Sequence, residues 1–293
     1  MTTPTRVDES DFEPVYHRYG PHRAGLPPLV SYFRELWHRR EFAAEMSRST
    51  MRSANTTTFF GQAWLVLNPL LLAGVYYLLV AIIQNRNDPS FFTHLALGLF
   101  AFNLVSTAIT SGATSVTSSG GLLINTAFPR LLIPLSAVRT AYFRFLPTIP
   151  VYLFFHLLFL PRQWSWTMLL GIYFLAMMIL FGMGLAAVFA TLQIYFRDTA
   201  SFLPFFVRLW MYLSPVLWLP EAIFNGAFPR WMLTLIQLNP MYSMLGGYSD
   251  SVQEGRVPDL SMWITSAGWA VGAAVLGFLF FISREREFAV RLS

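Results

Sequence analysis

Long apolar stretches separated by short polar turns occupy most of this chain. Each stretch has about twenty residues or more, which is the length that a helix needs to cross the roughly 30 Å hydrocarbon layer of a bilayer. Hydropathy therefore predicts an all-α integral membrane protein with six transmembrane helices. The predicted spans lie near 61–84, 92–116, 137–160, 166–190, 200–220 and 260–282.

One of these spans carries a polar stripe. The second half of the span near 92–116 is rich in small hydroxylated side chains, which favour close helix packing and hydrogen bonds between helices in a membrane. This span is therefore predicted to lie inside the bundle rather than at its outer surface. The residues concerned are Ser106, Thr107, Thr110, Ser111, Thr114 and Ser115.

A different pattern precedes the first span. In residues 29–47, apolar and aromatic side chains recur at helical spacing and arginines fill the opposite side. This predicts an amphipathic helix that lies flat at the membrane surface, with Phe33 and Trp37 on its apolar face. An ordinary helix packed on a soluble partner is the alternative.

The segment at 219–259, between the fifth and sixth spans, is too apolar for a free loop. Its short apolar stretches are interrupted by glycine and proline, and they are too short to cross a bilayer. They can dip into the membrane as re-entrant helices if other parts of the protein cover them, which predicts a lid at the outer face. A pair of helices lying on the outer surface is the alternative.

The distribution of arginine predicts the orientation. Thirteen arginines lie in the tails and loops on the side of the N-terminus, and four lie in the loops on the opposite side. The positive-inside rule places both termini in the cytoplasm, which agrees with an even number of spans. The predicted organisation is a cytoplasmic tail at 1–28, an interface helix and linker at 29–58, a transmembrane domain at 59–283 and a second cytoplasmic tail at 284–293.

Composition supports a membrane protein and excludes several kinds of chemistry. Of the 293 residues, 55% are hydrophobic and 12% are charged, whereas soluble domains carry about 25% charged residues. Cysteine is absent, so there is no disulfide and no thiolate catalysis. The histidines lack the spacing of metal ligands, and we predict no catalytic and no metal site.

The sequence also lacks lysine, since all its basic side chains are arginines. A nucleotide-binding P-loop needs a lysine to reach the β- and γ-phosphates. The chain therefore cannot be a P-loop ATPase, and any ATP that drives it must be hydrolysed by another subunit.

The fifth predicted span is the main candidate for a substrate path. Arg208 lies near its middle, where a charge is costly and usually faces protein or a water-filled path. Its guanidinium suits a lipid pyrophosphate or sugar hydroxyls, or it pairs with a carbonyl at a subunit contact. Aromatic rings cover most of this helix, and they either stack on a passing glycan or serve lipid contact and core packing. These rings are Phe202, Phe205, Phe206, Trp210, Tyr212 and Trp218.

Two loops on the cytoplasmic side are candidates for contact with a partner. Residues 117–136 contain a short apolar helix after Gly120-Gly121, with a face that a partner can cover unless the helix packs back on its own spans. Asp198 precedes the fifth span, where it either caps the helix or takes part in coupling.

Five motifs in this order give a resemblance to a known family. They are the amphipathic helix at 29–47, NTAFPRLLIPLS at 125–136, YFRDTASFLPF at 195–205, LSPVLW at 213–218 and NPMYSMLGGY at 239–248. The chain resembles the ABC-2 type permeases that export lipid-linked polysaccharides such as O-antigens and teichoic acids. Its length and its exclusive use of arginine are most similar to the galactan exporter permeases of mycobacterial-type bacteria.

This resemblance implies a permease without catalysis of its own, in the bacterial plasma membrane. It would export a lipid-linked polysaccharide, with galactan as the cargo, as a homodimer seated on two copies of a cytoplasmic ABC ATPase that binds ATP and Mg. Membrane lipids surround it and no nucleic acid takes part. An ABC-2 exporter of drugs or small lipids is one alternative, and an integral-membrane lipid or sugar transferase is another.

The resemblance also implies roles for individual residues. The first and fifth spans would line the passage, the helix near 119–128 would dock on the ATPase beside the N-terminal helix, and a re-entrant pair at 221–247 would close the outer end. The implied passage residues are Tyr76, Tyr77, Phe202, Phe205, Arg208, Trp210 and Tyr212; the coupling residues are Phe33, Trp37, Leu122, Leu123, Asn125, Phe128, Arg130, Arg197 and Asp198; the outer gate consists of Phe224, Trp231 and Pro240.

Overall fold

The computed structural model describes residues 26–53, 60–84, 89–121, 128–160, 164–219, 229–288 and 291, and the regular elements in these ranges are helices. The helices are α1 Leu29–His38, α2 Arg40–Ser53, α3 Trp64–Gln84, α4 Pro89–Ser118, α5 Leu132–Phe145, α6 Thr148–Phe159, α7 Gly171–Tyr195, α8 Thr199–Tyr212, α9 Arg230–Leu238, α10 Pro240–Val252 and α11 Leu260–Arg284. Short 3₁₀ turns precede α3 and α7 and follow α11.

Five helical runs in the described residues are long and apolar enough to cross a membrane. They are Gly61–Ile82, Ser90–Ser118, Leu132–Phe159, Trp166–Tyr195 and Leu260–Glu287. The length and composition of these helices confirm the prediction of an all-helical membrane protein.

Helix α4 is the centre of the bundle. In its apolar window 78% of the residues are buried, compared with 11% in the window of α3. The α4 side chains of Leu95, Ile109 and Val116 have essentially no exposed surface. The prediction that this hydroxyl-rich helix lies inside the bundle is therefore confirmed.

Small residues allow the central helices to approach closely. Gly184 of α7 lies directly against the backbone of Ala273 and Ala274 in α11, and Gly277 of α11 lies against the Gly184 carbonyl. On the other side of α7, a Cβ on Gly112 of α4 would come within 2.5 Å of the Ala186 Cβ. Without a Cβ at these positions the helix axes approach until backbone touches backbone, as in membrane helix pairs with small residues at the contact.

Contacts along α7 define the directions of its neighbours. Helix α11 runs parallel to α7, because Tyr173 stacks near Trp263 with ring centroids 4.5 Å apart and Gly184 meets Gly277 farther along both helices. Helix α8 runs antiparallel to α7, with Trp210 near Phe181 at 5.9 Å. Helix α10 lies beside the beginning of α7. The chain between α7 and α11 therefore returns from the end of α7 to the level of its start.

The structure corrects the predicted boundaries of the fifth span. The helix predicted at 200–220 ends at Tyr212, and the chain then turns through residues 213–218. Pro215 explains the early end, because it lacks an N–H for the helix and disfavours helical backbone at Ser214. At 14 residues, α8 is too short to span a bilayer by itself.

Two other predicted helices are interrupted. The N-terminal helix predicted at 29–47 is two helices, α1 and α2, which meet at Arg39 and extend to Ser53. The span predicted at 137–160 starts at Leu132 and is divided between α5 and α6 at Pro147, whose ring prevents a continuous helical hydrogen-bond ladder.

Candidate functional site

A cavity of about 1010 Å³ lies between α3, α4 and α8, with the junction of α5 and α6 at its side. Asn68, Asn103 and Arg208 on its lining are exposed, so the cavity opens to the outside of the chain. Its polar lining consists of Asn68 and Tyr76 from α3, Asn103, Ser106, Thr107 and Thr110 from α4, Arg144 from α5, Thr148 from α6, and Arg208 and Tyr212 from α8.

The polar stripe of α4 forms the floor of the cavity. Asn103, Ser106, Thr107 and Thr110 recur at three- and four-residue spacing, so they share one face of the helix. The Thr110 hydroxyl donates to the Ser106 carbonyl at 2.8 Å, which leaves its lone pairs to accept other hydrogen bonds. The floor thus offers hydroxyl and amide groups to a ligand in the cavity.

A proline in each of the two flanking helices adds acceptors. Pro69 lies inside α3 and Pro204 inside α8, and both line the cavity. Since proline has no N–H, the carbonyls of Leu65 and Ala200, four residues earlier, lack their usual helical donor. Leu65 itself lines the cavity and Ala200 does not, so the carbonyl on α3 is the one that is available to a ligand hydroxyl.

Two tyrosines connect the helices at one end of the cavity. The hydroxyl oxygens of Tyr76 on α3 and Tyr212 on α8 are 3.3 Å apart. This is the level at which α8 ends, so the pair lies between the cavity and the turn at 213–218.

The other predicted passage residues lie elsewhere. Phe202 and Phe205 are 59% and 71% exposed on α8 and do not line the cavity. Trp210 packs in the core against Phe102, and Tyr77 packs on Phe92 of α4. The structure thus brings Tyr76, Arg208 and Tyr212 together at the cavity and leaves Tyr77, Phe202, Phe205 and Trp210 outside it.

Sequence comparison connects this architecture with a transport family, although no family model matches the chain. The O-antigen export system permease protein RfbA of Myxococcus xanthus is 27% identical over 262 residues, which cover 89% of this chain and 99% of that protein. A protein of the same name from Klebsiella pneumoniae is 30% identical over 205 residues, covering 69% of this chain and 76% of the relative. The chain belongs to the O-antigen export permeases. The resemblance to ABC-2 polysaccharide permeases is thereby confirmed.

Polar contacts connect the two ends of the permease chain. The Tyr32 hydroxyl of α1 donates to the Glu285 carboxylate at 2.6 Å, and Arg130 donates to the Glu285 carbonyl. Burial beside Glu285 raises the pKa of Tyr32, so the phenol stays protonated and acts as the donor. The apolar side chains of Leu131 and Phe288 are fully buried in the same cluster.

The predicted coupling residues divide into a partly buried group and an exposed group. The Phe128 ring packs on Phe42 of α2 at 4.8 Å, and Arg130 is held by Glu285 as above. Phe33 and Trp37 are 40% and 66% exposed on α1, and Arg197 and Asp198 are exposed at the turn before α8. Leu122, Leu123 and Asn125 lie outside the described residues.

Of the residues predicted as an outer gate, Trp231 and Pro240 lie in the described part of the permease. Trp231 is 66% exposed on α9, and Pro240 is the first residue of α10. Phe224 lies outside the described residues. Helix α9 has 9 residues and α10 has 13, so both are too short to cross a bilayer individually.

Asn239 connects the segment of α9 and α10 to α8. Its side-chain oxygen accepts from the Trp210 indole N–H at 2.8 Å and from the Met241 backbone N–H at 3.1 Å. Its amide nitrogen donates to the Leu213 carbonyl at 3.0 Å and to the Ser214 hydroxyl at 3.1 Å. Sequence analysis missed this role, although Asn followed by Pro is the signature of a helix N-cap.

Replacing Asn239 by alanine is expected to loosen the end of α8. The change removes four hydrogen bonds and leaves the indole N–H of Trp210 without its acceptor. The loss is expected to lower the free energy of unfolding by about 2 kcal/mol. Thermal unfolding of the purified permease, followed by tryptophan fluorescence, measures the effect. Thr234→Ala is the control, because this exposed hydroxyl bonds only within α9; an equal change in both variants would contradict the role of Asn239.

Proposed function

We propose that this chain is the membrane subunit of an ABC exporter that moves a lipid-linked polysaccharide, with galactan as the cargo, from the cytoplasm across the bacterial plasma membrane. The observation that carries the proposal is the cavity between α3, α4 and α8. At about 1010 Å³ it is at the upper end of the roughly 300–1,000 Å³ of ligand sites. Its hydroxyls, its amides and the Leu65 carbonyl match the hydroxyl groups of sugars, while a bilayer provides no such partners.

Six crossings of the membrane are part of this proposal. The parallel packing of α7 and α11 supports it, because a chain that enters two parallel helices from the same side has to return between them. Helix α8 starts this return, and α10 reaches the start of α7, where the Thr167 hydroxyl donates to the Ser251 carbonyl at 3.0 Å. The fifth crossing would then consist of two helical pieces, with both termini in the cytoplasm.

A homodimer is proposed because the cavity is incomplete in one chain. Its exposed lining leaves a sugar path unshielded from lipid on one side, and polar groups facing lipid are costly. The rims of the opening carry exposed apolar side chains, Leu71 and Val75 on α3 and Phe205 and Leu209 on α8. A second copy placed against these rims would enclose a continuous passage.

The energy for export of the polysaccharide would come from two copies of a cytoplasmic ATPase subunit with bound ATP and Mg. The cluster around Tyr32, Arg130 and Glu285 supports a mechanical role for this side of the permease, because it joins α1, the loop before α5 and the end of α11. A push on the loop before α5 would be transmitted to α1 and α11 together. The exposed Phe33 and Trp37 would contact the membrane surface or the partner.

Depletion of the permease tests the proposed function. Cells that lack it are expected to lose surface polysaccharide and to accumulate the lipid-linked glycan at the cytoplasmic face, measured by glycan labelling of intact and permeabilised cells. Affinity purification of the tagged permease is expected to recover an ATPase with a P-loop. Surface glycan at normal levels in depleted cells would overturn the assignment.

A further inference from the structure

A smaller cavity, here called the side pocket, lies between α4, α6, α10 and the start of α7 and has a volume of about 290 Å³. Its lining on α4 and α10 is buried, whereas its lining on α6 and α7 is partly exposed, with Ile172 of α7 63% exposed. The mouth of the side pocket therefore lies between α6 and α7. The buried lining consists of Leu97, Phe100, Tyr248 and Val252, and the partly exposed lining of Ile149, Leu153, Met168, Ile172 and Leu175.

The mouth of the side pocket faces the bilayer. Helix α6 is the second half of the apolar run Leu132–Phe159, and α7 continues the apolar run that starts at Trp166. The outer faces of these two segments are apolar too, since Phe154 is 61% exposed and Leu169 is 68% exposed. Lipid chains therefore surround the mouth.

The volume of the side pocket restricts what can enter it. A helix of another protein is about 10–12 Å wide with its side chains, which is too wide for a pocket of about 290 Å³. Water is a poor occupant, because an ordered water needs about two to four polar partners. The described lining is apolar apart from Thr148, Tyr152 and Tyr248. A single hydrocarbon chain fits both the size and the lining.

Tyr248 provides an unused hydrogen-bond donor in this apolar pocket. The residue is 7% exposed, and its hydroxyl makes no hydrogen bond with the residues that the structure describes. The other two hydroxyls of the lining have partners, since Tyr152 pairs with Nδ1 of His156 at 3.2 Å and Thr148 donates to the Phe145 carbonyl at 2.6 Å. Buried hydroxyls are normally hydrogen-bonded. The Tyr248 O–H therefore lacks an acceptor that a ligand can supply.

Tyr248 lies near one polar boundary of the membrane. A Cβ on Gly171 would come within 3.2 Å of the Tyr248 ring, and Gly171 follows the start of its apolar run at Trp166 by little more than one helical turn. The other end of the side pocket is deeper. Thr148 is at the far end of α6 from Phe159, about 16 Å along the helix. The side pocket thus extends from the boundary toward the middle of the bilayer.

We propose that the side pocket binds one acyl chain of a bilayer glycerophospholipid, whose ester carbonyl accepts a hydrogen bond from the Tyr248 hydroxyl. An acyl ester has a carbonyl at the membrane boundary and a linear hydrocarbon chain that extends inward, as the pocket does. Phe100, Phe145 and Thr148 line both this pocket and the cavity between α3, α4 and α8. The bound chain would therefore support the wall between them. The inference concerns a lipid of the surrounding membrane and does not depend on the cargo.

Photo-crosslinking in detergent tests the side pocket. The full-length permease in dodecyl maltoside is titrated with phosphatidylethanolamine that carries a diazirine on one acyl chain, and the labelled residues are identified by mass spectrometry. Saturable labelling is expected at Leu153 and Met168. Leu153→Trp is expected to abolish it, because the indole fills the pocket. Leu157→Trp, one turn later on α6 and outside the pocket, is the control and is expected to keep it.

Tyr248→Phe tests the hydrogen bond without changing the shape of the pocket. The affinity for the probe is expected to fall about three- to tenfold, because one hydrogen bond is lost. Tyr142→Phe is the control, since Tyr142 is partly exposed on α5 and does not line the side pocket. Absence of saturable labelling in the unchanged permease, or equal affinities of Tyr248→Phe and Tyr142→Phe, would overturn the proposal.

An ether-linked probe locates the acceptor on the lipid. Dialkyl phosphatidylethanolamine with the same diazirine has the same chains but no ester carbonyl. It is expected to bind the unchanged permease about as weakly as the ester probe binds Tyr248→Phe, and Tyr248→Phe is expected to bind both probes equally. If the unchanged permease binds the ether and ester probes with equal affinity, the carbonyl is not the acceptor and the inference is wrong.

Competition distinguishes the phospholipid from other occupants. Unlabelled dioleoyl phosphatidylethanolamine is expected to displace the ester probe, whereas palmitic acid and farnesol are expected to compete weakly. If palmitic acid displaces the probe as well as the phospholipid does, the pocket is a site for free fatty acids. If farnesol does so, the pocket is a site for prenyl chains. Either result would overturn the assignment to a glycerophospholipid.

Discussion

Gly184→Ala is expected to yield little folded permease. A Cβ at Gly184 would overlap the backbone carbonyl of Ala273 in α11, and backbone atoms cannot move aside as a side chain can. The helices would have to separate along the whole α7–α11 contact, which buries Phe174 and Phe281. Overpacking of this kind typically costs about 1–3 kcal/mol and more where nothing can yield.

The amount of monodisperse protein in detergent, together with its thermal midpoint, measures this effect. Gly272→Ala in α11 is the matched control, because a Cβ there meets no atom within 4 Å. It is expected to be neutral or slightly stabilising, since alanine favours helix over glycine. Equal yields and midpoints for Gly184→Ala and Gly272→Ala would show that α7 and α11 do not touch at Gly184.

Thr107→Trp is expected to stop export while the permease still folds. Thr107 projects from the floor into the cavity, whose volume of about 1010 Å³ accepts an indole ring without displacing the surrounding helices. The ring would fill the path that the glycan needs and remove a hydroxyl from the floor. Surface polysaccharide is expected to fall at least about tenfold, because a blocked passage leaves only residual flux.

Leu157→Trp is the control for this experiment. Leu157 is 56% exposed on α6 and does not line the cavity, so tryptophan there enlarges a side chain on the outer face of α6. Permease levels on immunoblots show whether both variants accumulate normally. Undiminished surface glycan in Thr107→Trp at a normal protein level would exclude this cavity as the route.

The membrane helices could be predicted well because their signal is a simple one. Twenty apolar residues in a row have few stable arrangements other than a spanning helix, and the hydroxyl stripe from Ser106 to Thr110 indicated correctly that α4 is internal. The end of α8 could have been predicted from Ser214-Pro215. That signal was outweighed by the apolar residues on both sides of it.

The candidate site was harder to predict because aromatic residues surround α8. With rings on nearly every face, hydropathy cannot indicate which side lines a cavity. The structure separates them, with Arg208 and Tyr212 inside and Phe202 and Phe205 outside. Arg144 was recognised only as a charge within a span, because its position on the cavity depends on the packing of α5 against α4.

The hydrogen bond between Tyr32 and Glu285 has a consequence for biosynthesis. The two residues are 253 positions apart in the chain, so the ribosome makes four of the apolar helical runs and most of the fifth before Glu285 emerges. Until then the Tyr32 hydroxyl lacks this acceptor, and the apolar cluster lacks Phe281, Ile282 and Phe288. Synthesis of Glu285, rather than insertion of the first helices, therefore sets the moment at which α1 can form its contact with the end of α11.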